Sequence, residues 1–321
     1  MADCHDLFQS FFDKIRLSKT KKEYLEAAKE AIRERIIKYF KNEMKIGPPK
    51  FHVQGSFSMG TIINPLDGGY DIDDGIYLQN LNADKNKWES PETVHRWICE
   101  AVKGHTKEEP VDKNTCVRVI YAGEYHVDLP IYVVWGNVAY IAEKGTAGWH
   151  KSDPKAFTDW FKNQMSSRGD QLLRVVCYLK AWADNQPKSP KMPSGLLLTI
   201  LAANQFVSAQ RDDDALSKTV NAMAAYMMAS NVVLNPVDSS EDIARKVSQI
   251  EMNNFKLNLK ILKEQCSEAI NKQEELEASK IWERVFGDRF EVAESRMQER
   301  ASVLRSQAST TIIKPTKPWA I

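Results

Sequence analysis

Two stretches constrain this chain more than any other: QGSFSMGTIINPLDGGYDIDDGIYL over residues 54–78 and HVDLP over residues 126–130. Asp71 to Leu78 reads as a strand. Side chains alternate faces along a strand, so Asp71 and Asp73 share one face, and Ile72 turns to the other, where a core can take it. Asp128 stands in a second strand, His126 to Val134, with an apolar flank. A carboxylate there is costly if buried alone, and two carboxylates on one face repel unless a cation lies between them. A fold that brings the two strands together around shared cations removes both costs.

Hard oxygen donors favour magnesium or manganese over zinc. Two ions about 3.5–4 Å apart clamp the attacking and leaving oxygens of an in-line phosphoryl displacement. In that arrangement Asp71 and Asp73 hold both ions. Asp128 completes the ion that activates the attacking hydroxyl and helps take its proton. Gly55-Ser56 ends the run Phe51–Gln54 and opens a segment with helical character. Glycine lets a backbone approach closely, and amides at a helix start plus the Ser56 hydroxyl can hold a phosphate. Gly-Ser alone carries almost no information; followed by Asp-x-Asp it becomes specific. The bland alternative for Asp71-Ile-Asp-Asp-Gly75 is a solvated turn. A calcium loop fails, because the positions that need an acid or amide, a glycine and a glutamate hold Gly75, Ile76 and Asn82.

At QGSF, DIDDG followed by an aromatic, and HVDLP, the chain resembles the CD-NTase family, the cGAS/DncV-like nucleotidyltransferases of bacterial CBASS antiphage systems, and within it the DncV-like branch. The resemblance implies an α+β fold: a polymerase-β-like nucleotidyltransferase core with a mixed sheet, plus an α-helical C-terminal lobe. It implies synthesis of a cyclic di- or trinucleotide from NTPs (ATP, with GTP or a pyrimidine NTP) with two Mg2+ or Mn2+ ions. Gly55 and Ser56 match the family's donor-triphosphate motif, and Asp71, Asp73 and Asp128 match its catalytic acids. Gln54 matches a residue flanking the donor nucleotide. Lys180 resembles the helical lysine that meets the triphosphate, Ser194 the phosphate-contacting serine, and Arg118 an arginine of the acceptor pocket. The fourteen residues between Ser56 and Asp71 exceed the spacing of many nucleotidyltransferases; Asn64–Gly69 reads as an inserted turn. Two other readings remain open: transfer of a nucleotide to a macromolecular acceptor such as tRNA or protein, and a catalytically inactive nucleotide-binding protein.

With 321 residues and a net charge of +1, the chain can bury a large core and has no global field to attract a long nucleic acid. Lys19-Thr-Lys-Lys22 is expected to be a solvated helix start. Five scattered cysteines without Cys-x-x-Cys suggest neither zinc nor disulfides, and Cys177 reads as core. No long apolar run appears, so a cytoplasmic monomer away from membranes is expected. For His126 a structural role is preferred to a catalytic one. Trp149 and His150 are read first as loop anchors, with pocket lining as the alternative.

The expected organisation is residues 1–150 as a nucleotidyltransferase core braced by N-terminal helices, 151–310 as a helical lobe and 311–321 as a tail. Helices are predicted at 3–17, 20–44 and 91–104, and strands at 50–55, 71–78, 113–121, 124–135 and 137–142, with a hairpin turn at 122–124. Tyr24, Leu25, Ala28, Ile32, Ile36 and Tyr39/Phe40 form the stripe of the second helix, which Gly47-Pro48-Pro49 stops. Residues 145–153 read as a loop. Beyond Pro154 everything reads as helix, including 239–274, capped by Asp238-Ser-Ser-Glu241, and 279–306. The two-proline tail reads as a loose terminus. The resemblance also brings in a CBASS accessory protein acting on that tail.

Overall fold

The computed structural model describes residues 1–79, 82–122 and 125–293. The C-terminal tail, the distal part of the predicted last helix and the centre of the predicted turn at 122–124 lie outside these residues. Two N-terminal helices, α1 (His5–Ile15) and α2 (Lys19–Asn42), precede β1 (Lys50–Gln54), the short α3 (Gly55–Met59) and β2 (Tyr70–Leu78). Helix α4 (Pro91–Val102) follows. Then come β3 (Val111–Asp112), β4 (Cys116–Tyr121), β5 (Tyr125–Trp135), β6 (Val138–Glu143) and β7 (Gly148–Lys151). The rest comprises α5 (Pro154–Arg168), α6 (Asp170–Asp184), α7 (Gly195–Gln205), α8 (Asp212–Ala229), β8 (Leu234–Asn235), β9 (Asp238–Asp242), α9 (Gln249–Asn271) and α10 (Glu275–Phe286).

The sheet is mixed, in the order β1-β2-β5-β4-β3, with β6 on β5 and β7 on β6. Strand β5 is the hub. It runs parallel to β2 and antiparallel to β4 through its first half, and pairs with β6 through its second. Its central residues, Val127 to Val133, are all buried, as expected of a strand flanked on both edges. Helix α2 covers one face with Leu25, Ala28, Ile32, Ile36 and Phe40, while Tyr24, assigned to the same stripe from sequence, is 55% exposed. Below α2, the fully buried Asp74 takes a bidentate pair from Arg33 (2.7 and 2.6 Å), which fixes the helix to β2.

The second core is helical. Helix α1 belongs to it, not to the sheet: Leu7, Phe8, Phe11 and Ile15 pack among α6, α8 and α10. Phe8 meets Tyr178, Trp282 and Phe290 edge-on at 5.0, 4.9 and 5.2 Å. Each such ring contributes roughly 1.5–3 kcal/mol of burial. The N-terminal helices thus divide, one to each core, because α1 carries aromatic residues that complete an aromatic cluster and α2 carries the aliphatic stripe a sheet takes.

Three segments differ from the sequence reading. Residues 148–151 form β7, paired with β6, and not a loop. The region after Pro154 is not wholly helical, since β8 and β9 make a hairpin, and β9 takes the first residues of the helix predicted at 239–274. Asp238-Ser-Ser-Glu241 is β9 itself; the helix starts ten residues later, where Ser248 and Glu251 form the capping box. Cys177 is buried core, and all five cysteines are free. Among the described residues no helix is long and apolar enough to cross a membrane.

Candidate active site

The parallel register of β2 and β5 builds the site. Asp71 lies opposite His126 and Asp73 opposite Asp128. Alternation turns all four side chains to one face, giving a two-by-two grid of three acids and an imidazole. The Asp73–Asp128 row continues to Gln54 on β1 and to Arg118 on β4, each directly opposite. The three acids floor a cavity of about 630 Å3, walled by Gly55 and Ser56 on one side and by Lys180, Gly195 and Thr199 of the helical core on another.

Each member has a traceable local cause. Gly55 has φ +67°, which favours glycine, and a Cβ there would lie 2.1 Å from Asp73 Oδ2. The turn therefore sits hard against the second acid and opens α3. Gln54 is buried; its Nε2 donates to the Tyr132 hydroxyl at 2.8 Å, and Tyr132 stacks on Tyr77 at 5.0 Å. Gln54 Oε1 remains buried without a partner, close to Gly75. Lys180 reaches across from α6, donating to the Thr61 carbonyl (3.1 Å) and hydroxyl (3.0 Å), and burial pushes its ammonium below its ordinary range.

Arg118 donates to both oxygens of Asp128 at 2.6 Å. It is thus engaged with the third acid, and does not stand free in the cavity wall. Ser194 caps α7, its hydroxyl accepting from Leu197 N, and lies just outside the lining that Gly195 and Leu196 provide. His150 lines the cavity, whereas Trp149 is an anchor, donating to the Glu89 carbonyl at 2.8 Å and meeting Trp88 edge-on.

His126, for which a structural role is expected from sequence, stands on β5 beside the acids. Its Nε2 is buried without a hydrogen-bond partner, 4.0 Å from Asp71 Oδ2 and 3.9 Å from Asp128 Oδ1. The signal that could have found it is the register itself, which depends on pairing residues some fifty-five positions apart. Sequence reading also passed over Thr61, which holds Lys180, and the β8–β9 hairpin, which brings Asn235 and Glu241 to the cavity.

The electrostatics test whether this donor set suits divalent cations. Burial, then the charges of Asp71 and Asp128, push the Asp73 carboxyl up to about 8. Burial likewise raises Asp71, though His126 opposes it. Among the described residues no donor hydrogen-bonds Asp73. Crowded carboxylates, of which Asp128 alone has an internal donor in Arg118 among the described residues, beside an imidazole nitrogen without a hydrogen-bond partner, fit divalent metal ions.

Residues 49–132 match the family described as cyclic GMP-AMP synthase DncV-like, nucleotidyltransferase domain. At these residues the chain carries a nucleotidyltransferase domain of the DncV-like kind. A cyclic GMP-AMP synthase of Escherichia albertii is 30% identical over 224 residues, covering 65% of this chain and 49% of that protein. The corresponding Vibrio cholerae enzyme is 25% identical over 328 residues, covering 84% and 74%. The chain thus spans about half the length of the first curated relatives it matches. The crystal structure of Vibrio cholerae DncV cyclic AMP-GMP synthase superposes with a TM-score of 0.77 at 20% identity, covering 92% of this chain and 99% of that one, so the fold is shared.

Proposed function

We propose that this DncV-like nucleotidyltransferase is a cyclic oligonucleotide synthase, making a cyclic di- or trinucleotide from NTPs for antiphage defence. The observation that carries the reading is the set of Asp71, Asp73 and Asp128 facing one cavity with the Gly55-Ser56 turn and Lys180. Asp71 and Asp73 would hold two Mg2+ or Mn2+ ions, with Asp128 completing the second. When bound, the ions neutralise charge on the transferring phosphoryl group and lower the pKa of the attacking hydroxyl.

The chain's own residues supply the rest. The bare backbone at Gly55 and the Ser56 hydroxyl seat the donor triphosphate, and Gln54 flanks the donor nucleotide. Lys180 releases Thr61 to meet phosphate charge, with Ser194 beside it at the start of α7. Asp128, held by Arg118, orients the acceptor hydroxyl and receives its proton. The hydroxyl oxygen bonds to the donor α-phosphorus as the bond to the β-phosphate oxygen breaks, and pyrophosphate leaves. A second such transfer closes the ring. Arg118 also borders the acceptor.

A lobe boundary near residue 150 accompanies this reading, with α1 reaching across it. So does independence from long nucleic acid. Of the basic residues at the start of α2, Lys21 donates to Asn64 Oδ1 at 2.8 Å and lies over the Tyr70 ring, and Lys19 pairs with Glu23. We also infer a cytosolic monomer whose C-terminal tail is the place for an accessory protein. Incubation of nuclease-treated protein with mixed labelled NTPs and Mg2+, followed by mass spectrometry and nuclease mapping, tests the function. A cyclic product formed without added polymer is expected; nucleotide transfer only to RNA or protein, or no pyrophosphate release, overturns the proposal.

A further inference from the structure

The proposed mechanism gives no role to His126, which stands beside two of the three acids. It projects from β5 one residue-pair before Asp128 and stands opposite Asp71 in the parallel register. Its Nε2 is shielded from solvent, accepts or donates no hydrogen bond, and points between Asp71 Oδ2 (4.0 Å) and Asp128 Oδ1 (3.9 Å). One ligand atom from each of the three residues lies within 4.8 Å of the others. An imidazole hydrogen-bonded to either acid would sit about 1 Å closer to it. Bonds of about 2.1 Å span at most about 4.2 Å between donors on opposite sides of one ion, so both His126 separations fall near that limit and the side chains would draw in slightly around an ion.

We propose that His126 is a metal ligand, completing with Asp71 and Asp128 a mixed nitrogen–oxygen site that selects Mn2+ over Mg2+. The inference rests on the nucleotidyltransferase reading and goes beyond it in assigning a fourth donor and a metal preference. Carboxylate and water suit magnesium, but an imidazole nitrogen adds affinity for first-row transition ions and little for magnesium. Asp128 keeps both Arg118 hydrogen bonds and still has lone pairs to offer, because each carboxylate oxygen carries two. His150 also borders the cavity, but its Nε2 lies 3.4 Å from Glu143 Oε2, which gives that ring a partner of its own.

The test uses full-length protein stripped with chelator and loaded with substoichiometric Mn2+, read by pulsed EPR for nitrogen-14 modulation. Wild type should show imidazole modulation. His126→Gln and His126→Asn should lose it, while His150→Gln keeps it. Mn2+ affinity should fall on the order of tenfold in the His126 variants, with Mg2+ affinity nearly unchanged. Circular dichroism confirms folding of each variant, and the Gln and Asn variants stand in for one another if one fails to fold. Mn2+ bound tightly by wild type without nitrogen modulation, or modulation lost in His150→Gln and kept in His126→Gln, overturns the His126 assignment and leaves the acid site standing. Absence of any Mn2+ or Mg2+ binding overturns the His126 assignment and the nucleotidyltransferase site together.

Discussion

In the helical core Asp212 is fully buried, and its carboxylate accepts from Arg174 Nε (2.6 Å) and Nη2 (2.9 Å), Gln171 Nε2 (3.0 Å) and the Tyr178 hydroxyl (2.9 Å). In the cleft Asp73 accepts no hydrogen bond from the described residues and faces two more acids. Burial pushes both carboxyls up. At Asp212 the hydrogen bonds from Arg174 and Gln171 and the Arg174 charge outweigh it and hold the group below its usual range. At Asp73 the neighbouring acids add to burial and carry it to about 8. Asp212, which serves the fold, is given its donors from within; Asp73, which the proposal assigns to metal, is denied them, and Asp128 stands between the two, since it shares its oxygens with Arg118. The contrast is not one of helix against sheet, because Asp74, next to Asp73 on the opposite face, takes a bidentate pair from Arg33.

The sharpest way to break this contrast is Asp73→Asn. Product formation should fall on the order of a thousandfold or more, because the amide cannot supply the charge the metal site needs. The fold should stay intact, and the metal-free protein should be no less stable, since the amide stays neutral beside Asp71 and Asp128 without holding a proton. Pyrophosphate release with Mg2+ and thermal unfolding without it measure the two halves. Turnover within about tenfold of wild type would show that Asp73 is not a functional acid.

Arg174→Met attacks the other side. It leaves Asp212 buried and stripped of its main partner, which should cost about 3–5 kcal/mol. Urea unfolding reads the loss, and Asp212→Asn added to Arg174→Met should restore part of it. A loss below about 1 kcal/mol would mean that the internal donors are redundant and that the two aspartates differ less than their contacts suggest.

Gly55 and Ser56 sharpen the cleft side. Gly55→Ala forces a Cβ to within 2.1 Å of Asp73 Oδ2 at a positive φ, so it should displace the acid as well as the phosphate. A fall in kcat/KM on the order of a hundredfold, with weaker Mn2+ binding, is expected. Ser56→Ala should lower NTP use about tenfold and leave Mn2+ binding alone. Equal Mn2+ affinity in wild type and Gly55→Ala would refute the close approach of turn and acid.

The parts of this site that a sequence can show are those set by local periodicity. Asp71 and Asp73 share a face by alternation, and Asp128 stands out as a charge in an apolar strand. The nearness of His126 to Asp71 is invisible in the sequence because it depends on β2 lying parallel to β5 in one particular register. The Arg118–Asp128 pair is likewise cross-strand, between β4 and β5. The β8–β9 hairpin was misread because Asp238-Ser-Ser-Glu241 satisfies the capping pattern as well as Ser248–Glu251 does; only packing decides which is used. The assignment of α1 to the helical core depended on where its phenylalanines find other aromatic rings, and amphipathicity alone names no partner.

A pH dependence sets the two aspartates against each other in metal-free protein. An unfolded aspartate releases its proton near about 3.9. Folded Asp73 holds its proton to about 8. Between these values the native state binds more protons, so this group makes stability fall as pH rises, by at most about 1.4 kcal/mol per pH unit. Asp212 acts oppositely: its folded pKa is lowered, so its contribution is complete above about 3.9 and is lost as pH falls through the lower folded value. The acids of the cleft titrate together, so the measured quantity is the difference between wild type and variant, assigned to the cluster. Subtracting the unfolding free energy of Asp73→Asn from that of wild type, without metal, should leave a line descending from pH 4 to 8. The same subtraction for Asp212→Asn should be level there and drop only in acid. A level first difference would mean that the bare cleft already satisfies its acids, and the distinction between carboxylates held for folding and carboxylates held for a ligand would fail in this protein.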